Sequence, residues 1–577
     1  MRGGMESWTC RALVLGLLLG CSQPGHAQVP EELVQRYLWP SSPAEFQDAQ
    51  TQLFTESSLV GVSRRQMHDL EEFLRRGPSV PIPDENVLSR QRLDTFTVTT
   101  PAGRDIPVYV LIPSRYTPDT EWPLMLAMHG GPPGDVDGAR RGALGMVDVW
   151  AEAAEQAGWI VAAPAMTHTV AAEGRSAERL PYEIFHEEEA RAVIDAVRAR
   201  YRVTPDRIAS TGISLGSNFS IAYGAAHPDW FAAIVPVSTE GDSRELLLRN
   251  LGSVPVYVLE GSRDRNIRSL EGPRALNEIL TKLGYDLTYH EFSDRGHEGF
   301  KEYYPDVLRW LDVRPRQSTP REVFRAPHSG IIPVARRVHW IESDTRQGVI
   351  RARVTGPARI EVTSRWTGEV ALFVSDQLVD LNGSIEVWVN GEQVFAGTVE
   401  RSIRTALEEV RRLKDETRVY AARITVTVPK SDEALTVAKA FSEELHPEHP
   451  EGRLSFWEMY AVRALEERFP DLGFSGNEVP LPYAVTVSAP EQVGIRVSAV
   501  DSGGVASLAG LERGDVLITV DGEPFFQGKG GVQTLYHWMV RELRTSSAEY
   551  ELLVWRSGRM TTLSATYQLG PYRSFGS

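Results

Sequence analysis

Gly212-Ile213-Ser214-Leu215-Gly216 is the stretch from which the rest of the chain is read. Before it, Arg207-Ile208-Ala209-Ser210-Thr211 reads as a short strand, and after it Ser217 to Ala226 carries small and apolar residues at helical spacing. Ser214 therefore falls at a strand-to-helix corner. A G-x-S-x-G serine at such a corner is placed as a nucleophile: the glycines permit a sharp turn, the hydroxyl is lifted into a cleft, and the next backbone N–H faces the substrate oxygen. The pentapeptide has a second reading, a corner where helix and strand simply pack closely, and its partners elsewhere in the chain must decide.

Two partners follow in order. The strand-like run Val254 to Gly261 leads into Ser262-Arg263-Asp264, and the strand Leu287 to Phe292 leads into Ser293-Asp294-Arg295-Gly296-His297. Ser214, Asp264 and His297 thus occur in the order Ser, Asp, His, one of three known chain orders for such a triad. Upstream, Pro123 to Met128 is a buried-strand run ending in His129-Gly130-Gly131, a loop that offers a backbone N–H to an oxyanion with no side chain in the way. Asp294 reads as a loop carboxylate, while Glu240 and Asp242, after the preceding strand, are the rival candidates for the acid.

On these four motifs, residues 93–313 resemble an α/β-hydrolase of the carboxylesterase group, which includes polyhydroxybutyrate-depolymerase-like and feruloyl-esterase-like enzymes, with prolyl-oligopeptidase catalytic domains as near relatives. The resemblance implies an α/β fold with a doubly wound, mostly parallel sheet. It leaves the substrate open, because that fold hosts esterases, peptidases, thioesterases and lipases on one triad.

Met1 to Ala27 reads as an export leader: Arg2 and Arg11 precede the short apolar run Ala12 to Gly20. Leu18-Leu19-Gly20-Cys21 resembles a bacterial lipoprotein box that would lipidate Cys21, and Gly25-His26-Ala27 offers ordinary cleavage before Gln28. Periplasm, outer membrane or secretion is the expected location. Cys10 and Cys21 are the only cysteines of the 577 residues, so a chain cleaved at either place has no internal disulfide. A net charge of -16 argues against nucleic acid as a partner.

Residues 28–92 show two helical stretches, Glu31 to Leu38 and Arg64 to Arg76, expected to pack on the hydrolase. Only a short segment around Gly241 to Gly252 separates the strand Ala232 to Val237 from the Asp264 strand. No lid is inserted there, which suggests an open cleft for a bulky or polymeric substrate, with Met166 to Pro181 as a candidate flap. Residues 327–429 carry short alternating runs and the hairpin signal Asn390-Gly391, and read as a small antiparallel sandwich. Residues 430–480 read as a helical linker. His446 and His449 lie close together but lack a third ligand, so no metal is expected.

Residues 484–569 carry Ala509-Gly510-Leu511, Gly514-Asp515-Val516-Leu517 and Asp521-Gly522, and resemble a PDZ domain of the bacterial envelope-protease type. The resemblance implies strand addition: a peptide or protein C-terminus pairs with a strand edge while Val493, Gly494 and Ile495 present N–H groups to its carboxylate, and helix Val532 to Arg541 forms the other wall. A packing or dimerisation role is the alternative.

The expectation is ester hydrolysis by acyl transfer without a cofactor. Ser214 would be the nucleophile, His297 the base and Asp264 its orienting acid, with Leu215 and Gly130 or Gly131 supplying oxyanion N–H groups. A serine peptidase of the prolyl-oligopeptidase kind and a non-catalytic binding scaffold are the two other classes.

Overall fold

The computed structural model describes residues 30–55, 59–78, 80–81, 92–100, 105–131, 136–166, 187–242, 244–266, 270–327, 334–345, 348–445, 474–480, 492–500, 509–520, 523–526, 547–556 and 559–568. Its largest sheet has eight strands: β1 (Leu93–Thr99), β2 (Asp105–Leu111), β3 (Trp122–Met128), β4 (Ile160–Pro164), β5 (Val203–Ile213), β6 (Ala233–Val237), β7 (Val256–Gly261) and β8 (Leu287–Phe292). Their spatial order is β1-β2-β4-β3-β5-β6-β7-β8. β1 and β2 pair antiparallel and β2 meets β4 antiparallel, while every pairing from β4 to β8 is parallel.

Burial on both faces explains the apolar runs. Along β3, Leu124, Leu126 and Met128 enter one core and Met125 and Ala127 the other, so every residue of the strand is buried. One core is capped by helix Leu215–Ala226 through Phe219, Ala222 and Tyr223. The other is capped by helices Val136–Ala157 and Tyr304–Asp312, whose Trp150 and Tyr304 rings stack at 3.7 Å. Helices on both sides of a parallel sheet are the doubly wound arrangement the alternating elements implied.

The region after residue 321 forms two sheets, one of five strands and one of four, with helix Ile403–Leu413 packed on them. The sandwich is not wholly antiparallel, because Arg359–Arg365 and Ser384–Val389 run parallel. The Asn390-Gly391 turn joins Ser384–Val389 to Glu392–Thr398, and both turn residues have positive φ, at 50° and 86°.

The N-terminal helices differ from expectation. Val34, Tyr37, Leu53, Met67, Leu70 and Phe73 share a core with Ile341, Leu372, Ile403 and Leu407 of the sandwich, not with the hydrolase sheet. Gly61 N–H also donates to Arg401 O at 2.9 Å, and Arg411 reaches the Tyr37 carbonyl at 2.6 Å. An amphipathic stripe requires a partner surface without saying which, and the sandwich helix supplied the complementary one.

The C-terminal sheet is antiparallel, in the order Phe474–Pro480, Gln492–Val500, Glu523–Phe526, Val516–Val520, Ser547–Arg556, Arg559–Gln568. Of residues 430–480, read as a helical linker, Asp432–Leu445 is a helix, whereas Phe474–Pro480 is a strand that pairs with Gln492–Val500 and belongs to the C-terminal sheet. No described helix is long and apolar enough to cross a membrane.

Candidate active site

Ser214 stands where β5 ends and helix Leu215–Ala226 begins, with φ 56° and ψ -120°. A non-glycine residue avoids that conformation unless its surroundings impose it. The flanking glycines impose it by close approach: a Cβ on Gly212 would lie 2.2 Å from the Gly216 carbonyl carbon, and one on Gly216 2.2 Å from Met128 O. The elbow is tied to the next strand by Ser214 N–H donating to Val237 O at 3.0 Å.

Val237 is followed by Ser238, at φ 47°, whose Oγ donates to Glu298 O at 2.9 Å and accepts Glu298 N–H at 3.2 Å. Two steps of hydrogen bonding therefore fasten the segment carrying His297 to the elbow. That segment is zipped to the turn after β7 as well: Arg263 N–H donates to Arg295 O at 2.8 Å and Asp294 N–H to Ser262 Oγ at 3.1 Å. In consequence His297 Nδ1 lies 2.7 Å from Asp264 Oδ2, with the Asp264 side chain fully buried and the imidazole 19% exposed. Asp264 Oδ1 accepts Asn266 N–H at 2.8 Å. The rival acids are occupied elsewhere: Asp294 is an exposed partner of Arg263, and Asp242 is clasped by Arg244. Asn218 Oδ1 accepts from Thr239 Oγ1 at 3.1 Å and from Glu240 N–H at 3.2 Å, which fixes the loop after β6.

The loop after β3 lies against the serine. A Cβ on Gly130 would sit 2.9 Å from Ser214 Cβ, so only a bare backbone fits there, and Gly131 takes φ 106°. His129 is buried; its Nδ1 lies 2.8 Å from Gly130 O and its Nε2 accepts Met166 N–H at 3.1 Å, so Nδ1 carries the proton. Burial lowers its tendency to protonate, and the neutral ring straps the glycine loop to the end of β4.

Glu260, Ser238, Asn218 and His129 belong to this site although the sequence reading gave them no role. Glu260 ends the buried run Val256-Tyr257-Val258-Leu259, and an acid closing an apolar strand is the signal by which it could have been found. It is 0% exposed and hydrogen-bonds Thr239 N–H and Gly261 N–H.

Val493, Gly494 and Ile495 are not on an open edge. They lie inside Gln492–Val500, opposite Pro480, Val479 and Glu478 on one side, while Val493 faces Phe525 and Ile495 faces Leu517 on the other. Val493 and Ile495 thus have strand neighbours on both flanks, while Gly494 is paired on one side only. Asp515 instead fixes the neighbouring turn, accepting Arg556 at 2.6 Å and Glu512 N–H at 2.9 Å. Cys21, the flap segment beyond Met166, His446, His449 and helix Val532 to Arg541 lie outside the described residues. Among the described residues no cluster of three or more His, Cys, Asp or Glu side chains could hold a metal.

The family model for the PDZ domain matches residues 496–535, beginning just after Ile495. A protein named "Putative esterase NocK", from Nocardia uniformis subsp. tsuyamanensis, is 32% identical over 180 residues, which cover 29% of this chain and 52% of that one. The chain thus spans about half the length of the curated relative it matches. Among solved structures, a thermostable esterase matches at 25% identity and TM-score 0.33 over 39% of this chain and 63% of that one. A ferulic acid esterase matches at 17% identity and TM-score 0.30 over 38% and 96%. Dipeptidyl peptidase 4 of Porphyromonas gingivalis matches at 15% and 0.31 over 38% and 35%. The chain is thus similar in part to a protein named as an esterase, and its residues 496–535 match the PDZ domain.

Proposed function

We propose that this chain is a serine hydrolase that cleaves carboxylic esters by acyl transfer. The observation that carries the reading is the 2.7 Å contact between His297 Nδ1 and Asp264 Oδ2 at the ends of adjacent strands, fastened to a serine in a strained elbow. Asp264 holds the imidazole with its proton on Nδ1, leaving Nε2 free to take the Ser214 proton as the hydroxyl attacks the ester carbonyl. The N–H of Leu215, at the start of its helix, with one from Gly130 or Gly131, stabilises the oxyanion. His297 then protonates the leaving alcohol, and water releases the acid by a second pass of the same steps. The named relative supports ester over other acyl substrates.

The PDZ module is a docking unit for a peptide or protein C-terminus. The leader sends the chain out of the cytoplasm, with Cys21 as lipid anchor; a mature N-terminus at Gln28 found by mass analysis would replace the anchor with simple cleavage.

A fluorophosphonate probe tests the chemistry, since only an activated serine reacts with it. Labelling of the wild type that is lost in Ser214→Ala supports the reading; no labelling of a folded wild type leaves a binding scaffold. A p-nitrophenyl ester series set against peptide p-nitroanilides then separates esterase from peptidase, and a preference for the anilides would replace the ester assignment.

A further inference from the structure

A cavity of about 450 Å³ opens where the N-terminal helices, the hydrolase unit and the sandwich meet, a volume within the range of small-molecule sites. Its apolar lining is Trp39 and Pro40, which follow helix Glu31–Leu38, with Pro78 and Val80, which follow helix Arg64–Arg75. Its charged lining comes from the ends of two further helices, Glu187–Arg198 of the hydrolase and Ile403–Leu413 of the sandwich. None of these residues lies on the segments that carry Ser214, Asp264 or His297.

The carboxylates of the lining are already matched. Asp195 Oδ1 lies 2.9 Å from Arg191 Nε and its Oδ2 2.6 Å from Lys414 Nζ, while Arg198 Nη2 donates to both oxygens of Glu416 at 2.6 Å. Asp415 is held by Arg316 at 2.6 Å and Arg418 at 2.7 Å. The carbonyls that end helix Ile403–Leu413 are matched too, since Leu413 O accepts Arg191 at 2.9 Å and Lys414 O accepts Arg198 at 2.6 Å. Arg411 differs. Its Nη1 donates to Tyr37 O at 2.6 Å and its guanidinium lies 3.8 Å from the centre of the Phe46 ring, but among the described residues no carboxylate forms an ion pair with it. The cavity therefore sets one cation without a counter-charge beside an indole and two proline rings. One such cation matches one negative charge; a phosphate would bring nearly two, against the neighbouring Asp195 and Glu416.

We propose that this cavity binds a small monocarboxylate with a flat apolar body, its carboxylate on Arg411 and its body against Trp39, Pro40 and Pro78. Three units of the chain contribute to the lining, so an occupant joins them and stabilises the folded protein by mass action. The site stands apart from the triad, and its test does not depend on the hydrolase reading.

The test uses the full chain with 2-naphthoate as probe. Beside it, 2-naphthamide keeps the flat body without the charge, and acetate keeps the charge without the body. Calorimetric titration should show a 2-naphthoate site at least about tenfold tighter than either control, and 2-naphthoate should raise the Tm as its concentration rises. Arg411→Gln should weaken 2-naphthoate about tenfold and leave 2-naphthamide unchanged, whereas Trp39→Ala should weaken both. Ala199 also lines the cavity and is exposed, so Ala199→Trp intrudes without removing packing and should abolish the site, which keeps the test decisive if Arg411→Gln fails to fold. Absence of 2-naphthoate binding to the wild type, amide binding as tight as the acid, or 2-naphthoate binding undiminished in Ala199→Trp overturns the proposal.

Discussion

Two groups of buried carboxylates in this molecule are built on opposite principles. At the junction between the hydrolase unit and the sandwich, Asp415 accepts Arg316 Nη1 at 2.6 Å and Arg418 Nε at 2.7 Å, and Arg418 also pairs with Asp229. Burial there opposes ionisation, yet Arg316 and Arg418 hold Asp415 well below the ordinary carboxylate range, and Arg418 does the same for Asp229. Behind His297, burial, with the Asp264 charge adding to it, pushes the Glu260 carboxyl up. Acids neutralised by arginine serve as a fastener between units. An acid set against an acid keeps a proton at neutral pH, which is the pattern expected where proton position matters to chemistry.

The strongest way to break this contrast is to exchange charge for amide in each place. Asp264→Asn should cost about 10⁴ in kcat, as should Ser214→Ala, with the melting temperature nearly kept, because an orienting acid or a nucleophile is lost and little packing. Steady-state kinetics beside a thermal melt would show it; a worse loss from Asp242→Asn would move the acid to that residue. Arg418→Met at the junction should do the reverse. It leaves Asp229 and Asp415 short of a partner and should cost about 3–5 kcal/mol of stability by denaturant titration, while the folded fraction keeps its kcat.

A smaller effect separates the two groups by pH. His339 is buried near Asp229 and bonds Ser253 Oγ at 2.8 Å, and burial pushes its imidazole down to about 3. Since the folded value lies below the unfolded one, its contribution to stability is present above about pH 6.5 and is lost as pH falls toward the folded value. His339→Gln should flatten the fall in Tm between pH 7 and pH 4; an unchanged slope would remove His339 from the account. The smallest change should come from the module remote from both groups. Truncation after Pro482 should leave kcat/KM on a small soluble ester within a few-fold, because no group of the proposed mechanism is removed, while peptides with free C-terminal carboxylates should no longer bind. Collapse of small-ester turnover would mean that the PDZ domain shapes the active site.

Local chemistry was readable in the chain itself. Gly212 is required by contact with Gly216 and Ser217 in the same turn, and buried parallel strands announce themselves as the apolar runs at 123–128 and 254–259, so the elbow and the sheet could be placed from the sequence, although the close approach of Gly216 to Met128 could not. The same holds for the turn at Asn390-Gly391, whose conformation is local. Contacts between distant residues could not be read this way. That His297 meets Asp264 and neither Asp294 nor Asp242, and that Ser238 pins the histidine segment, depend on three strand ends lying side by side. The N-terminal helices advertised an apolar stripe, but only packing chose the sandwich as its cover. In the C-terminal sheet the motifs marked the turns, whereas the strands that flank Val493 and Ile495 were decided by neighbours that periodicity cannot name. Sequence determines which groups must be buried, turned or ionised, because those are properties of a residue and its near neighbours; tertiary structure decides which groups face one another, because that depends on the order in which the strands are laid down in space.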